Sequence, residues 1–246
     1  MMRTLAAVLL VAATACDNAG PSDSDPAVVV KLPDPATAGT IAGRVTFKGT
    51  PPANPKLPVG GSSECSALHS GPAFDEQVLV KDGRLQNVFV YVKEGLEGYA
   101  FDWPKTPVMI SNQKCVYTPR VMGAQVHQPI RFVNDDPTLH NIHAFMTGKE
   151  FNFSLFNKGT TSDRKIRTTE VMVRVKCDIH PWMIGYVGVV PHPFFATTGE
   201  NGAFEFKGLP PGEFTIEAWH EKYGTQTRKA KLDAKGTLDV EFSFGS

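Results

Sequence analysis

Apolar and polar residues alternate with a period of two in short runs along most of the chain. The clearest are I-A-G-R-V-T-F at 41–47, N-V-F-V-Y-V at 87–92, V-M-V-R-V-K-C at 171–177 and L-D-V-E-F-S-F at 238–244. That period sends successive side chains to opposite faces of an extended backbone, so each run reads as a half-buried strand. Turn-forming clusters punctuate the runs: Lys81-Asp82-Gly83, Asn134-Asp135-Asp136-Pro137, Glu200-Asn201-Gly202 and Leu209-Pro210-Pro211-Gly212. No long stretch carries helical spacing. The expected fold class is therefore all-β, one sandwich or two.

The N-terminus has a different character. One positive residue, Arg3, precedes an apolar run from Leu5 to Ala13, and small residues lead to Cys16. This is the pattern of an export signal, residues 1–15, and it is shorter than the roughly 20 apolar residues of a membrane span. Two processing routes fit it. Ala13-Thr14-Ala15 is a site for ordinary signal cleavage, and A-T-A-C resembles the lipobox of bacterial lipoproteins, which would make Cys16 the acylated first residue. Residues 16–38 are rich in Pro, Ser, Asp and Gly and read as a flexible linker. Acidic and basic residues balance at 25 each and are interspersed, which leaves no electrostatic footprint for nucleic acid.

Residues 195–246, with T-T-G-E-N-G-A-F-E-F-K-G-L-P-P-G-E-F-T-I-E-A-W at their head, resemble the carboxypeptidase regulatory-like (transthyretin-like) β-sandwich. They supply too few strands to bury two faces. The opening strands of such a module find their nearest matches upstream, at Ala42-Gly43-Arg44-Val45 with Gly49-Thr50-Pro51-Pro52, and at Leu85 to Val92. The resemblance implies a split sandwich, 39–94 plus 195–246, with residues 95–194 inserted as a separate module. A free-standing C-terminal mini-domain is the competing organisation.

The inserted module carries D-D-P-T-L-H-N-I-H and then V-K-C-D-I-H-P-W-M-I-G-Y-V-G-V-V. From Tyr117 to Val190 the chain resembles cupredoxins of the amicyanin and plastocyanin kind, Greek-key β-sandwiches that hold copper. The resemblance implies one type 1 (blue) copper on His140, Cys177, His180 and Met183. Such a site needs one thiolate, two imidazoles and a weak axial thioether, whereas structural zinc favours paired thiolates or imidazoles. Strand parity agrees: Val171, Val173, Val175 and Cys177 share one face, and Ile142 and Ala144 point with His140 while His143 points away. In the resembled family the backbone amide at the place of Asn141 bonds the cysteine sulfur. The edge of the loop histidine, here His180 beside Pro181 and Trp182, is the surface point nearest the metal.

Cys65 and Cys115 remain. In an oxidising envelope they pair as a disulfide, or they stay as two buried thiols. His69, His127, His143, His192 and His220 have no partner at ligand spacing and read as surface or core residues. No nucleophile, base and orienter group together for hydrolysis, so no enzyme activity is indicated. The expectation is an electron carrier of the periplasm or cell envelope that meets a redox partner protein, does not bind nucleic acid, and touches a membrane only through a lipid on Cys16; the alternatives are a module that holds or senses copper without cycling it and an adhesive or carbohydrate-associated β-sandwich protein.

Overall fold

The computed structural model describes residues 30–245, so the signal, Cys16 and most of the linker lie outside the described residues. Strand dominates, and the two helical pieces, Val59–Gly61 and Ser63–Ala67, are single turns. All four alternating runs named above contain strand: Gly39–Lys48, Phe89–Glu94, Glu170–Lys176 and Thr237–Gly245.

Among the described residues, four sheets form two sandwiches. In the first, Gly39–Lys48 lies between Ala203–Leu209, antiparallel, and Thr237–Gly245, parallel; Arg84–Leu85 and Val80–Lys81 extend that sheet. The facing sheet runs Phe195–Thr197, Phe89–Glu94, Gly212–His220, Gly224–Leu232. The two ends of the chain therefore share both sheets, and neither end alone supplies a complete one. Alternate residues Ile41, Val45, Phe204, Phe206, Phe242 and Ile216 meet between them. Phe204 and Phe242 pack with ring centroids 6.1 Å apart, within the range where aromatic pairs attract beyond their buried area.

In the second sandwich, Phe151–Leu155, His140–Phe145, Glu170–Lys176, Ile184–Val190 and Val121–Gln125 form one sheet. Thr161–Lys165, Pro129–Asn134, Val108–Gln113 and Val116–Thr118 form the other. Ile110, Phe132, Ile142, Val173, Val175 and Val187 are its buried centre. The segment between the strands Gly39–Lys48 and Val80–Lys81 does not stay with the first core: Leu57, Val59, Cys65, Leu68 and Ala73 pack into the second. Ser62 starts its short helix, the hydroxyl accepting from the Cys65 amide at 3.2 Å, as an N-cap should.

The sandwiches meet through a notch made of glycine. Gly123 and Gly188 are register partners on neighbouring strands. A Cβ on Gly188 would lie 2.4 Å from the Phe89 ring, and one on Gly123 would lie 2.3 Å from Phe195. The missing side chains let two rings of the first sandwich lie on the sheet of the second, where Tyr91, Val121 and Val190 close the contact. Arg120 crosses the junction to Glu221 and Asp75.

Candidate metal centre

Three of the four implied ligands stand at strand ends on one edge of the second sandwich, and His180 lies in the turn between two of them. His140 opens the strand His140–Phe145, Cys177 follows Glu170–Lys176, and Met183 precedes Ile184–Val190. The turn between the last two is closed by Met183 N donating to the His180 carbonyl at 2.9 Å and Cys177 N donating to the Met183 carbonyl at 3.2 Å. Parity puts the sulfur inside, since Val173, Val175 and Cys177 are buried while Arg174 is exposed. Ile142 and Ala144 are buried with His140, and His143 turns outward to Asp178 and Glu150.

His140 Nδ1 and His180 Nδ1 face each other at 3.1 Å, and Cys177 Sγ lies 3.8 Å from His180 Nδ1. One donor atom from each of the three residues lies within 4.8 Å of the others, and all three residues are buried. Met183, fully buried, belongs to the same core cluster as Cys177. The tautomer of His140 is set from outside: its Nε2 lies 2.9 Å from Asp136 Oδ2. An ionised carboxylate only accepts, so Nε2 carries the proton and Nδ1 keeps a lone pair directed at His180. Two imidazole nitrogens thus face each other at one buried spot beside the Cys177 sulfur. A soft cation at that spot would engage all three. Two imidazoles, one thiolate and a thioether fit copper by donor chemistry.

Electrostatics prepare the thiolate. Burial alone pushes the Cys177 thiol up, but the His140 and His180 rings and the amides of Asn141 and His180, each 3.4 Å from the sulfur, outweigh it and bring the thiol down to about 6. The thiolate is the metal-binding form. The Asn141 amide contact is the one the cupredoxin resemblance implies. For Asp136, burial raises the carboxyl, and hydrogen bonds from His140, the Cys115 amide and the Lys114 amide more than reverse that. For His140, burial is likewise outweighed, here by Asp136, and the ring is held above its ordinary value.

Cys65 and Cys115 form a disulfide, Cα to Cα 5.7 Å, closing a sequence separation of 50 residues. Its place changes the reading of His180. The edge of that ring was expected at the surface, yet His180 is only 4 % exposed. A ring nitrogen of His180 lies within 4.8 Å of both disulfide sulfurs, and the Leu57–Ala73 segment is packed into the same core. Trp182 is half-buried, its ring 5.2 Å from the His180 ring and its indole N–H donating to the Cys115 carbonyl at 3.0 Å. The loop histidine is roofed by a segment that sequence spacing did not connect with it.

Asp136 is the functional residue that sequence reasoning passed over. It stood in the Asn134-Asp135-Asp136-Pro137 turn as a turn former, four residues before His140. Its carboxylate also accepts from Lys114 N at 2.6 Å and Cys115 N at 2.8 Å. Both of those residues adopt left-handed backbone, φ 55° each, a conformation that non-glycine residues hold only when the surroundings over-determine it. The other histidines do separate work: His69 bonds the Lys114 carbonyl, and His192 bonds the Val92 carbonyl across the first sandwich.

No protein-family model matches the chain, and no curated protein matches it. Among solved structures it is similar to a purple cupredoxin from Nitrosopumilus maritimus, 26% identical over 33% of this chain and 98% of that one, with a TM-score of 0.30. It is similar to a mutant amicyanin in the Cu(I) state, 20% identical over 34% of this chain and 81% of that one, TM-score 0.29. A copper-containing nitrite reductase from Thermus scotoductus SA-01 is 16% identical over 59% of this chain and 28% of that one, TM-score 0.32.

Proposed function

We propose that the chain is an exported type 1 copper protein that transfers single electrons in the bacterial cell envelope, with His140, Cys177, His180 and Met183 as ligands. The supporting observation is the convergence of His140 Nδ1, His180 Nδ1 and Cys177 Sγ in a buried pocket at the sandwich edge. Copper bound by one thiolate, two imidazoles and a thioether exchanges one electron with little change of geometry. The chain's own part is to hold those donors in place. Asp136 fixes the His140 ring, the Asn141 and His180 amides steady the sulfur, and the disulfide and Trp182 keep water from His180.

In this reading the copper module, residues 95–194, is inserted into a carboxypeptidase regulatory-like sandwich, and the protein is a carrier with no catalytic activity. Residues 1–15 direct export, and a lipid on Cys16 provides any membrane tether. The deciding experiment is addition of Cu(II) to the purified metal-free protein. One equivalent should give an intense blue or purple colour that bleaches on reduction and returns on reoxidation. A colourless complex, or a preference for zinc under competition, would overturn the reading.

A further inference from the structure

We infer that this centre meets its partner through the cleft beside Trp182, and that the cleft takes a small hydroxylated aromatic molecule of the phenol or hydroquinone class; the inference rests on the copper reading above. The usual exit is shut. His180 is 4 % exposed beneath the segment pinned by the Cys65–Cys115 bridge. The ring next to it is not shut: Trp182 is half-buried, stands 5.2 Å from the His180 ring, and is held in one orientation by its bond to the Cys115 carbonyl. That indole borders a hollow of about 380 Å³, lined on its apolar side by Trp182, Ile184, Ala73 and Phe74. Phe74 is 49 % exposed at the rim.

The remaining wall is polar in a particular way. Lys114, Glu76 and Arg120 line the hollow, the first two as exposed side chains. His69 anchors one ring nitrogen on the Lys114 carbonyl at 3.0 Å, which leaves its other nitrogen for a ligand. Apolar faces with a few convergent polar groups are the marks of a small-molecule site, and the volume is of that class. A flat protein face would meet such a hollow only at its rim. A single aromatic ring fits within it, its face against Trp182 and Phe74 and its hydroxyl towards Glu76, Lys114 and His69.

The test uses hydroquinone as probe and the full mature chain. Titrated into the metal-free protein and into the diamagnetic Cu(I) protein, hydroquinone should shift the Trp182 indole N–H and the Gln113 and Lys114 amide resonances together, saturating with one dissociation constant. Ala73→Trp, which fills the hollow, should abolish those shifts. In protein that still turns blue, it should also slow at least tenfold the one-electron step in which hydroquinone reduces Cu(II) to Cu(I), loses a proton to solvent and leaves as the semiquinone. Shifts centred elsewhere, or a rate within twofold of the parent in a blue Ala73→Trp protein, overturn the inference. Should Ala73→Trp not fold, Phe74→Ala makes the same comparison: at least threefold weaker hydroquinone binding is expected, and unchanged binding overturns it. Absence of blue colour with Cu(II) refutes the copper reading instead, and the shifts in metal-free protein still decide the cleft.

Discussion

The two sandwiches bury polar groups in opposite ways. In the first, Glu217 is buried, yet it accepts from the Tyr91 hydroxyl at 2.7 Å and from Lys93 at 2.6 Å, and Thr198 bonds both the Val88 amide and the Leu85 carbonyl. Both of these groups are answered by the protein itself, as a structural core requires, although His220 Nε2 and Ser243 Oγ of the same sandwich are buried without a partner. At the edge of the second, two imidazole nitrogens face each other beside a thiol. Desolvated donors left to one another lose the energy that water would have given them, and a sequence bears that cost where something else is to be bound. Burial of polar groups does not mark a site; convergence of several metal-donor atoms on one buried spot does.

The largest effect that separates the two regions is optical. Cys177→Ser should abolish the thiolate-to-copper colour completely while leaving a folded β protein, because the position packs as a small side chain beside Val175. Glu217→Gln, equally buried in the other sandwich, should leave the colour intact. Absorption spectra of both copper-loaded variants check this, and a blue Cys177→Ser protein would refute the ligand assignment.

Next comes the tie between the regions. Replacing Cys65 and Cys115 with Ser opens a sequence separation of 50 residues, worth about 4 kcal/mol in the chain-entropy account. Urea unfolding of the metal-free protein should show a loss of that order. A loss below about 1 kcal/mol would mean that the packing of Leu57, Val59 and Leu68 holds the roof over His180 without the bond.

A smaller change should act at the glycine notch. Gly188→Val places a Cβ 2.4 Å from the Phe89 ring, and overpacking of this kind costs about 1–3 kcal/mol. The loss should shrink when Phe89→Leu is combined with it, since the two positions share one contact. Full additivity in thermal unfolding would show that the sandwiches do not rest on this notch.

Much of this was legible in the sequence because the signals were local. Period-two runs gave strands with their buried faces, and Cys177, His180 and Met183 lie within one turn, so spacing and parity alone set them on one edge. His140 was reachable because the cupredoxin resemblance supplied the long-range partner. The rest depends on where distant segments land. The roof over His180 comes from Cys65, more than a hundred residues earlier, and nothing in E-C-S-A-L-H announces its destination. Asp136 reads as a turn former until the His140 ring is found beside it, although an acidic residue four positions before a candidate ligand histidine is a signal that could have been weighed. Gly123 and Gly188 are two ordinary strand glycines until Phe89 and Phe195 press on them.

The smallest expected effect concerns the histidines, which respond to acid differently in the two regions. Burial drives His192 and His220 of the first sandwich down to about 4, whereas His140 at the metal edge is held above its ordinary value. The cause in the first sandwich is partly geometric. Nδ1 of His192 accepts from Phe194 N at 3.3 Å, and Nδ1 of His220 accepts from Lys222 N at 3.1 Å. A second proton on either ring has no place without breaking that bond. An unfolded histidine titrates near 6.5, so between pH 6.5 and 4 the unfolded chain binds protons that the folded chain refuses. Stability must then fall as pH is lowered through that window and be fully retained above it. His220 is also fully buried with its Nε2 unpartnered, so His220→Leu should cost little at pH 7. At pH 5.5 the substitution removes a proton-linked loss of about 1 kcal/mol, and the variant should be more acid-resistant than the parent by that amount. Urea unfolding of metal-free protein at pH 7.5 and 5.5 measures it. Equal pH dependence in parent and variant would mean that His220 is protonated in the fold despite its burial.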